Sequence, residues 1–410
     1  MSLSVIVVGA GITGLSTAEF LRREGVDVTL IDRHEPGDPK QTSYGNAGLL
    51  ASSAIIPISS PGLWKNMPKY LFNPNSPLSI KWNYIPRLLP WLIPFLKNTT
   101  TKKFLSVVKA LQELTHDSVD QHLNLAKGTD AEKYIRIGDW TYLYPNEKKY
   151  LSDSYENNLR KKYGFDNIKL NRGELLKRDP FLGPNYNCGA LFSNHGWLTS
   201  PGNYMISLAN HYKKNGGKIV IDEIIKLNGK DLISKKNLTY KADKIVFCTG
   251  AWSGKLINNK DHFINIETER GYHLILKGVN HMPENPYAVS DLKFAITPME
   301  NGLRCAGTVE FAGLEAKLSE APIAIIRNGI KNVYPKLKWD TEEIWMGHRP
   351  TTTDCVPVIG ESKNIKNMYF AFGGQHIGLT IGPRLGRITT DLILDKKTNI
   401  DLSPYSHNRF

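Results

Sequence analysis

Residues 5–32 carry two continuous apolar runs separated by a helical pattern. The first run, residues 5–8, reads Val-Ile-Val-Val, which is typical of a strand buried on both faces of a parallel sheet. Apolar residues then recur on one helical face until Gly25, a residue type that suits the end of a helix. The second run, residues 28–31, ends at an acidic residue. This order predicts a βαβ unit with two parallel strands.

Two later apolar runs predict that the chain returns to the same sheet. The run within residues 242–253 ends in a Thr-Gly pair, and the strand at residues 369–372 runs into a Gly-Gly pair, after which a helix is expected to begin near Gly378 or Leu379. Blocks of strands that alternate with returns to an α/β core predict a discontinuous fold of two domains. The strand-like segments between the returns are residues 134–145, 188–198, 267–276, 294–313 and 343–360.

Three glycines stand between the first strand and the helix in a G-x-G-x-x-G arrangement. Gly9 permits the tight turn, Gly11 lets the backbone approach a pyrophosphate, and Gly14 lets the helix pack against the strand. The second strand delivers Asp32, whose carboxylate suits the two hydroxyls of an adenosine ribose. Strand, glycines, helix, strand and acid in this order predict a dinucleotide site; a purely structural glycine turn is the alternative.

The segment "YGNAGLLASS" at residues 44–53 is rich in small and hydroxyl residues, which indicates close approach of its backbone to a ligand. Together with residues 242–253 and 367–394, it supplies the additional contacts that a permanently bound flavin needs and an exchanging nicotinamide does not. We therefore predict FAD. The helix after the Gly-Gly pair would point its N-terminus at the flavin, where it stabilises negative charge.

Residues 84–96, "YIPRLLPWLIPFL", are apolar but contain three prolines. The segment is too short to span a bilayer, and the prolines interrupt its helical stripe. We interpret it as part of a cap packed on the domain. The alternative is a segment that lies on a membrane surface with Trp91 and Arg87 at the interface. The pattern at residues 102–128 then predicts one amphipathic helix.

Length and charge narrow the class of protein. The chain has 410 residues, too many for one ordinary core, and its 41% hydrophobic and 22% charged residues are typical of a folded soluble protein. A net charge of +13 suits a nucleic acid, an anionic membrane or an acidic substrate. The lysines are spread along the chain in short pairs, which favours a solvated surface and argues against nucleic-acid binding.

The cysteines and the N-terminal residues bear on metal binding and location. None of Cys188, Cys248, Cys305 and Cys355 has C-x-x-C spacing, so we expect no metal site and a reducing compartment. The first strand is not preceded by a secretory signal, and no apolar stretch of about eighteen residues occurs. These features predict a cytoplasmic protein, with association with the inner face of the membrane as the alternative.

Six further motifs resemble the D-amino acid oxidase superfamily of FAD-dependent amine oxidoreductases, and most closely the bacterial D-amino acid dehydrogenases. They occur in family order and cover nearly the whole chain: GAGITG at 9–14, YGNAGLL at 44–50, ERGYH at 269–273, TPMENGLRCAGTVEFAG at 297–313, GHRPTTTDCVPVIG at 347–360 and GGQHIGLTIGP at 373–383. The resemblance implies an α/β plus α+β fold. A discontinuous Rossmann-like FAD-binding domain would be joined to a second, mostly antiparallel β-sheet substrate domain, as in D-amino acid oxidase and glycine oxidase.

The domain boundaries that we predict follow from this resemblance. The FAD-binding domain would comprise residues 1–55, 197–262 and 345–410. The substrate or cap domain would comprise residues 56–196 and 263–344.

The resemblance also implies which residues contact FAD. Relatives that attach FAD covalently through the loop at residues 43–49 carry a histidine where this chain has Gly45, so we expect non-covalent FAD. The implied contacts are Gly9, Gly11, Ile12, Thr13, Gly14, Asp32, Arg33, Ser43, Tyr44, Gly45, Asn46, Ala47, Gly48, Leu49, Ile224, Thr249, Gly250, Gly374, Gln375, Gly378, Leu379 and Thr380.

The implied substrate contacts centre on Arg349 in the GHRP motif, because a guanidinium binds a carboxylate through two parallel hydrogen bonds. An ion pair that supports a strand end is the alternative role. Tyr272 could donate to the same carboxylate, while His273 could orient the substrate or be a core histidine. Gln375 and His376 differ from the small residues common in relatives, and one of them could face the substrate or the flavin edge. We favour a structural role for His348, and we expect Arg304 and Glu310 to support the residues that contact the substrate or to lie on the surface.

The activity implied is oxidation of the α C–N bond of a D-amino acid or N-substituted amino acid, with hydride transfer to flavin N5. A poorly hydrated pocket lowers the pKa of an ammonium group, so no strong catalytic base is required. Alternatives are an oxidase of glycine, sarcosine or a cyclic amine such as a proline derivative, and, in another class, a tRNA-modifying flavoprotein. A quinone and oxygen both remain open as electron acceptors, and the sequence does not specify an oligomeric state.

Overall fold

The computed structural model describes residues 3–63, 76–257 and 263–410. Part of the Pro-rich stretch before residue 78 and the predicted domain boundary at residue 262 lie outside these ranges. The strands, in chain order, are β1 (Ser4–Val8), β2 (Asp27–Asp32), β3 (Leu49–Leu50), β4 (Leu78–Ile80), β5 (Ile135–Tyr144), β6 (Ile168–Asn171), β7 (Cys188–Leu198), β8 (Lys218–Ile221), β9 (Ile224–Asn228), β10 (Asp231–Ser234), β11 (Thr239–Tyr240), β12 (Lys244–Phe247), β13 (Ile266–Lys277), β14 (Tyr287–Val289), β15 (Phe294–Met299), β16 (Gly302–Phe311), β17 (Thr341–Thr352), β18 (Val358–Glu361) and β19 (Met368–Phe372).

The helices of the described ranges cover both sheets. In chain order they are α1 (Ile12–Arg23), α2 (Ile85–Lys97), α3 (Thr101–Thr115), α4 (Ser118–Ala126), α5 (Glu147–Ser152), α6 (Ser154–Lys162), α7 (Arg172–Arg178), α8 (Pro201–Lys214), α9 (Ser253–Ile257), α10 (Glu320–Val333) and α11 (Gly378–Ile393). Short 3-10 turns lie at Trp82–Tyr84, Glu132–Tyr134, Gly250–Trp252, Gln375–Ile377, Ser403–Tyr405 and His407–Arg409.

A six-stranded sheet has the order β18-β19-β12-β1-β2-β8. All of its pairs are parallel except the antiparallel edge pair β18–β19. The predicted βαβ unit is therefore present, and both later apolar runs return to this sheet. Helix α1 packs against α11, where Gly382 and Gly386 lie so close to Ile12 and Ser16 that a Cβ atom would come within about 2.7 Å of either residue.

A larger sheet of ten strands is mostly antiparallel, with the path β17-β13-β16-β15-β14-β5-β7-β3, while β4 joins β16 and β6 joins β7. One face packs against α10 through a buried apolar cluster that includes Tyr272, Leu274 and Ile326. The opposite face carries the alternate residues of β13, 269, 271 and 273, toward the loop at residues 43–49. A parallel α/β sheet combined with this antiparallel sheet confirms the predicted fold class.

The pairing of β17 bears on the proposed domain division. This strand pairs with β13 over its full length, from Thr341 opposite Lys277 to Thr352 opposite Ile266. A boundary at residue 345 would cut the strand, and one at residue 197 would cut β7. We propose instead that these boundaries follow Thr352 and Leu198, because a strand that is hydrogen-bonded throughout belongs to one folding unit.

The proline-rich segment forms a helix, α2, so the expectation of a broken helical pattern was wrong. Its prolines recur every four residues on the solvent side, where water can satisfy the carbonyl groups left without a partner. The opposite side buries Leu88, Trp91 and Phe95. Trp91 is 2% exposed and donates from Nε1 to the carbonyl of Thr351 at 2.9 Å, which contradicts its predicted place at a membrane interface. Within the described ranges, every helix is too short or too polar to cross a bilayer.

Candidate cofactor and substrate site

A cavity of about 530 Å³ opens at the carboxyl ends of β1, β2 and β12. Ligands of open α/β sheets bind at this edge. Fifteen of the predicted cofactor contacts line the cavity: Gly9, Gly11, Ile12, Thr13, Asp32, Arg33, Ser43, Asn46, Ile224, Thr249, Gly250, Gly374, Gln375, Gly378 and Leu379. The remaining predicted contacts, Gly14, Tyr44, Gly45, Ala47, Gly48, Leu49 and Thr380, are not among the residues that line this cavity.

The glycine turn is shaped by close backbone contacts. Gly9 has φ +103°, and a Cβ atom there would collide with the carbonyl of Cys248, the residue after β12. A Cβ atom on Gly14 would collide with the carbonyl of Gly9. These two positions bring the start of α1 against the sheet. Gly11 faces the cavity, where the nearest atom to an added Cβ is Ser43 Oγ at 3.3 Å, so its backbone is open to a ligand.

Asp32 ends β2 with its carboxylate anchored to the backbone. Oδ2 accepts from the N–H of Ala10 at 2.6 Å, and Oδ1 accepts from the N–H of His34 at 2.9 Å. Each carboxylate oxygen can accept more than one hydrogen bond, so both retain capacity for ribose hydroxyls. Asp32 therefore also ties the glycine turn to the second strand.

Arg33 and Trp252 form one wall of the cavity. The Arg33 guanidinium carbon lies 4.0 Å from the centre of the Trp252 ring, which is a cation–π contact. The sequence analysis did not identify Trp252 as a site residue. Its position, directly after the Thr-Gly pair that ends β12, is the signal that would have indicated it.

The loop at residues 43–49 is held in place by the ten-stranded sheet. Arg304 is 3% exposed and donates to the carbonyls of Tyr44 at 3.0 Å and Asn46 at 2.7 Å. His273 is fully buried, and its Nδ1 lies 2.9 Å from the carbonyl of Gly45. Nδ1 must carry the proton in this contact, and burial lowers the pKa of this imidazole well below its usual value. His273 is thus neutral and positions the loop.

Gly45 lies flat against an aromatic ring. A Cβ atom at this position would collide with the indole of Trp345, which also stacks on His273 with ring centres 4.9 Å apart. At the end of the loop, Thr380 of α11 donates from its hydroxyl to the carbonyl of Leu49 at 2.8 Å. The loop is therefore enclosed on both sides, and its small residues leave the backbone as its accessible surface.

Arg349 extends from β17 across β13. Its guanidinium lies directly over Gly271, where any Cβ atom would collide with it. Nη1 donates to the carbonyl of Thr308 at 3.0 Å and Nη2 to that of Gly307 at 3.3 Å. Two of the five N–H groups are used in this way, so the others can bind a carboxylate. Burial lowers the pKa of this guanidinium, although it remains a cation.

Tyr272 lies on the opposite face of β13 from Arg349. It is 1% exposed, and its hydroxyl donates to Glu310 Oε2 at 2.5 Å. Burial raises the pKa of this phenol to about 12. The predicted role of Tyr272 as a substrate ligand is therefore wrong, because successive residues of a strand point to opposite faces. Glu310 also binds Arg270 at 2.7 Å, which gives it the structural role expected.

Gln375 and His376 follow β19 beside the cavity. Gln375 has φ +49° and donates to the carbonyl of Cys355, while its Oε1 has no hydrogen-bond partner within the described part of the chain. Asn46 donates to the carbonyl of His376 at 3.2 Å. The His376 side chain is exposed to solvent, and the surrounding protein together with the charge of Arg349 lowers the pKa of its imidazole to about 4. His376 is thus a neutral, solvent-accessible group near Arg349.

The histidine of the GHRP motif, His348, has contacts that fit the structural role expected of it. His348 Nδ1 lies 3.0 Å from the hydroxyl of Thr268 on the neighbouring strand. Among the described residues, no group of three or more metal-ligating side chains is present. All four cysteines are free and buried.

These residues fit FAD. The open backbone at Gly11 suits a pyrophosphate, the anchored Asp32 suits the ribose, and the N-terminus of α11 reaches the cavity at Gly378 and Leu379. The loop at residues 43–49 presents its backbone toward the same region. When bound, FAD supplies a two-electron acceptor.

Comparison with known proteins identifies the family to which the chain is similar. The model of the DAO family, described as FAD dependent oxidoreductase, matches residues 4–392. D-amino-acid oxidase of Bradyrhizobium diazoefficiens is 36% identical over 99% of this chain and 98% of its own. D-amino acid dehydrogenase of Vibrio atlanticus is 27% identical over 100% of both.

Solved structures share the fold at low identity. L-proline dehydrogenase from P. horikoshii has a TM-score of 0.74 at 15% identity, with 100% of this chain and 98% of that chain covered. Glycine oxidase from Geobacillus kaustophilus has a TM-score of 0.72 at 18% identity, with 100% of both chains covered. Both similarities confirm the predicted fold type. With the family match over nearly all of its length, the chain belongs to the DAO family of FAD-dependent oxidoreductases.

Proposed function

We propose that this protein oxidises the α C–N bond of an amino acid with a free carboxylate, either a D-amino acid or an N-substituted amino acid. The product is an imine that hydrolyses to a keto acid or an aldehyde. Relatives named D-amino-acid oxidase and D-amino acid dehydrogenase support this substrate class. The observation that carries the proposal is Arg349, a half-buried guanidinium beside the cavity that has N–H groups without a protein acceptor in the part of the chain that the structure describes.

The substrate carboxylate binds Arg349 in this proposal. Backbone carbonyls hold the guanidinium in place, so little side-chain entropy is lost on binding. His376 and Gln375 contribute neutral side chains beside the cavity, while His273 positions the loop at residues 43–49. A site of this kind favours the neutral amine that oxidation requires. We propose that the residues predicted from the sequence as FAD contacts bind the cofactor.

Anaerobic mixing tests the function. The FAD-loaded protein is mixed with D-amino acids, their L-enantiomers, N-methylated amino acids, glycine and proline, and the loss of oxidised-flavin absorbance is recorded. We expect reduction by at least one carboxylate-bearing amine, with amides of the same amines inactive. Adding oxygen or a quinone to the reduced protein then identifies the electron acceptor, since the relatives include both an oxidase and dehydrogenases. A flavin that none of these amines reduces would refute the proposal.

We expect the FAD to be bound without a covalent link. Gly45 offers no nucleophile, and the Trp345 ring leaves no room for a side chain there. Heat or acid precipitation should therefore release the flavin into the supernatant, where its fluorescence is measured. Flavin that remains with the precipitated chain would contradict this expectation.

We also propose that α2 contacts a membrane surface through its outward side. Leu89 is 41% exposed and Ile93 is 50% exposed on that side. Replacing both with serine should reduce co-sedimentation with anionic liposomes while flavin reduction is unchanged, because the buried side of α2 is untouched. The control is Ile168→Ser, since Ile168 is 60% exposed on β6. Equal co-sedimentation of all three proteins would contradict membrane contact.

A further inference from the structure

Glu269 is a buried carboxylate next to the proposed carboxylate site. It pairs directly with Arg349 across β13 and β17, and it is only 1% exposed. Its Oε1 has no hydrogen-bond partner among the residues that the structure describes. Burial raises the pKa of this carboxyl to about 7, although the charge of Arg349 opposes the shift. A buried carboxylate with an unpartnered oxygen is costly unless a ligand completes it.

The positions of Glu269 and Arg349 leave a gap between opposite charges. Both side chains lie on the same face, since Arg349 crosses β13 over Gly271 and Glu269 is the previous residue on that face. Their charged atoms nevertheless lie more than 4.0 Å apart, so they form no direct ion pair. A half-buried cation and a buried anion held side by side match a zwitterion, whose own two charges sum to zero.

Other unpartnered oxygens surround the same gap. Thr351 lies two residues beyond Arg349 on the same face. Its buried hydroxyl makes no well-formed hydrogen bond within the described ranges, but it lies close enough to the Glu269 carboxyl to oppose the rise in the pKa of that group. Gln375, whose Oε1 is also unpartnered, donates to the carbonyl of Cys355, and the charge of Glu269 contributes to raising the pKa of the Cys355 thiol. Three of the unsatisfied polar atoms, on Glu269, Thr351 and Gln375, therefore belong to the strands beside Arg349 or to the lining of the cavity.

We propose that Glu269 binds the α-ammonium group of an amino acid whose carboxylate lies on Arg349, and that it accepts a proton from this group before oxidation. An N–H bond of the ammonium breaks and an O–H bond forms on Glu269, while the nitrogen keeps the electron pair that the C=N bond requires. This inference rests on the proposed function. It makes Glu269 a catalytic residue, in addition to the binding role of Arg349.

Two isosteric ligands test the inference without turnover. 2-Aminoisobutyrate and 2,2-dimethylpropanoate differ only in an ammonium group against a methyl group, and neither carries an α-hydrogen that could be removed. Calorimetric titration of the FAD-loaded protein at pH 8, above the pKa of Glu269, gives both dissociation constants. We expect Glu269→Gln to weaken 2-aminoisobutyrate by about 10- to 100-fold, the loss of one charge-assisted hydrogen bond. Removal of the nearby negative charge should leave 2,2-dimethylpropanoate unchanged or bound more tightly.

The matched control is Glu267→Gln. Glu267 lies on the same face of the same strand, but its two oxygens accept from the Tyr84 hydroxyl at 3.1 and 3.0 Å. This variant should leave the ratio of the two dissociation constants unchanged. If Glu269→Gln weakens both ligands equally, or neither, Glu269 only supports the fold or Arg349 and the inference is wrong.

A second variant tests the inference if Glu269→Gln does not fold. Glu269→Asp keeps the charge but withdraws it by one methylene, so it should weaken 2-aminoisobutyrate alone; unchanged binding would overturn the inference. The same measurements distinguish failure of the proposed function from failure of the role of Glu269. If the wild-type protein binds neither ligand and no amino acid reduces its flavin, the amino acid assignment itself fails. If amino acids reduce the flavin but the ratio of the two dissociation constants is the same in the Glu269 variants as in the wild type, only the proposed role of Glu269 is wrong.

Discussion

Arg349→Lys is expected to lower kcat/KM for flavin reduction about a hundredfold, or by about 2.7 kcal/mol in transition-state stabilisation. The guanidinium binds the carbonyls of Thr308 and Gly307, which leaves its other N–H groups for the proposed substrate. A lysine ammonium has three donors on one atom and does not reproduce this planar fork. The substrate carboxylate would be held at a poorer angle, which slows hydride transfer as well as weakening binding.

Anaerobic stopped-flow with the best amino acid substrate measures this effect in Arg349→Lys and Arg349→Ala. Flavin content should stay normal, because Arg349 is not among the residues that line the nucleotide cavity. The control is Arg327→Lys, which changes an arginine paired with Glu342 at 2.8 Å. Wild-type reduction rates and half-saturation in both Arg349 variants would show that Arg349 is not the carboxylate site.

Asp32→Ala is expected to weaken FAD binding by a hundredfold or more. Two ribose hydroxyls would lose a charged acceptor, at about 1.5–3 kcal/mol for each hydrogen bond. The N–H of Ala10 would also lose its partner, so the glycine turn is less well ordered before FAD binds. Asp32→Asn retains an acceptor and should have a smaller effect.

Fluorescence titration of the apoprotein with FAD measures the three dissociation constants. The control is Asp27→Ala at the other end of β2, where the carboxylate binds only Lys218 on the surface, at 2.9 Å. This variant should bind FAD as the wild type does. Equal affinity in Asp32→Ala and the wild type would exclude a ribose contact by Asp32.

Local patterns were sufficient wherever the chemistry lies within one short segment. The order of strand, glycines, helix and Asp32 predicted the βαβ unit and its cavity, because the covalent spacing of these residues brings them together. The motif GHRP likewise predicted that Arg349 would lie at the site. The returns of β12 and β19 to the same sheet followed from their continuous apolar runs, which are typical of strands buried on both faces.

Helical patterns were less reliable, because packing decided them. The three prolines of α2 disfavour a helix locally, but burial of Leu88, Trp91 and Phe95 compensates, and the prolines lie on the solvent side. Residues 102–128 read as one helix, whereas the structure ends α3 at Thr115 and begins α4 at Ser118. The break lets each helix pack on its own surface, which a periodic pattern does not specify.

The sequence by itself determined the βαβ unit, since its residues lie close together in the chain, and the motifs along its length determined the fold class. The FAD contacts and the carboxylate-binding role of Arg349 are predictions from the sequence. Only the tertiary structure decided which face of β13 meets the loop at residues 43–49. Alternation along the strand predicts that Tyr272 and His273 point in opposite directions. Pairing with β17 and packing against α10 decide which of the two side chains faces the loop. That choice removes Tyr272 from the site, buries Arg304 beneath the loop and places Glu269 beside Arg349, a pairing between residues eighty positions apart that local spacing does not encode.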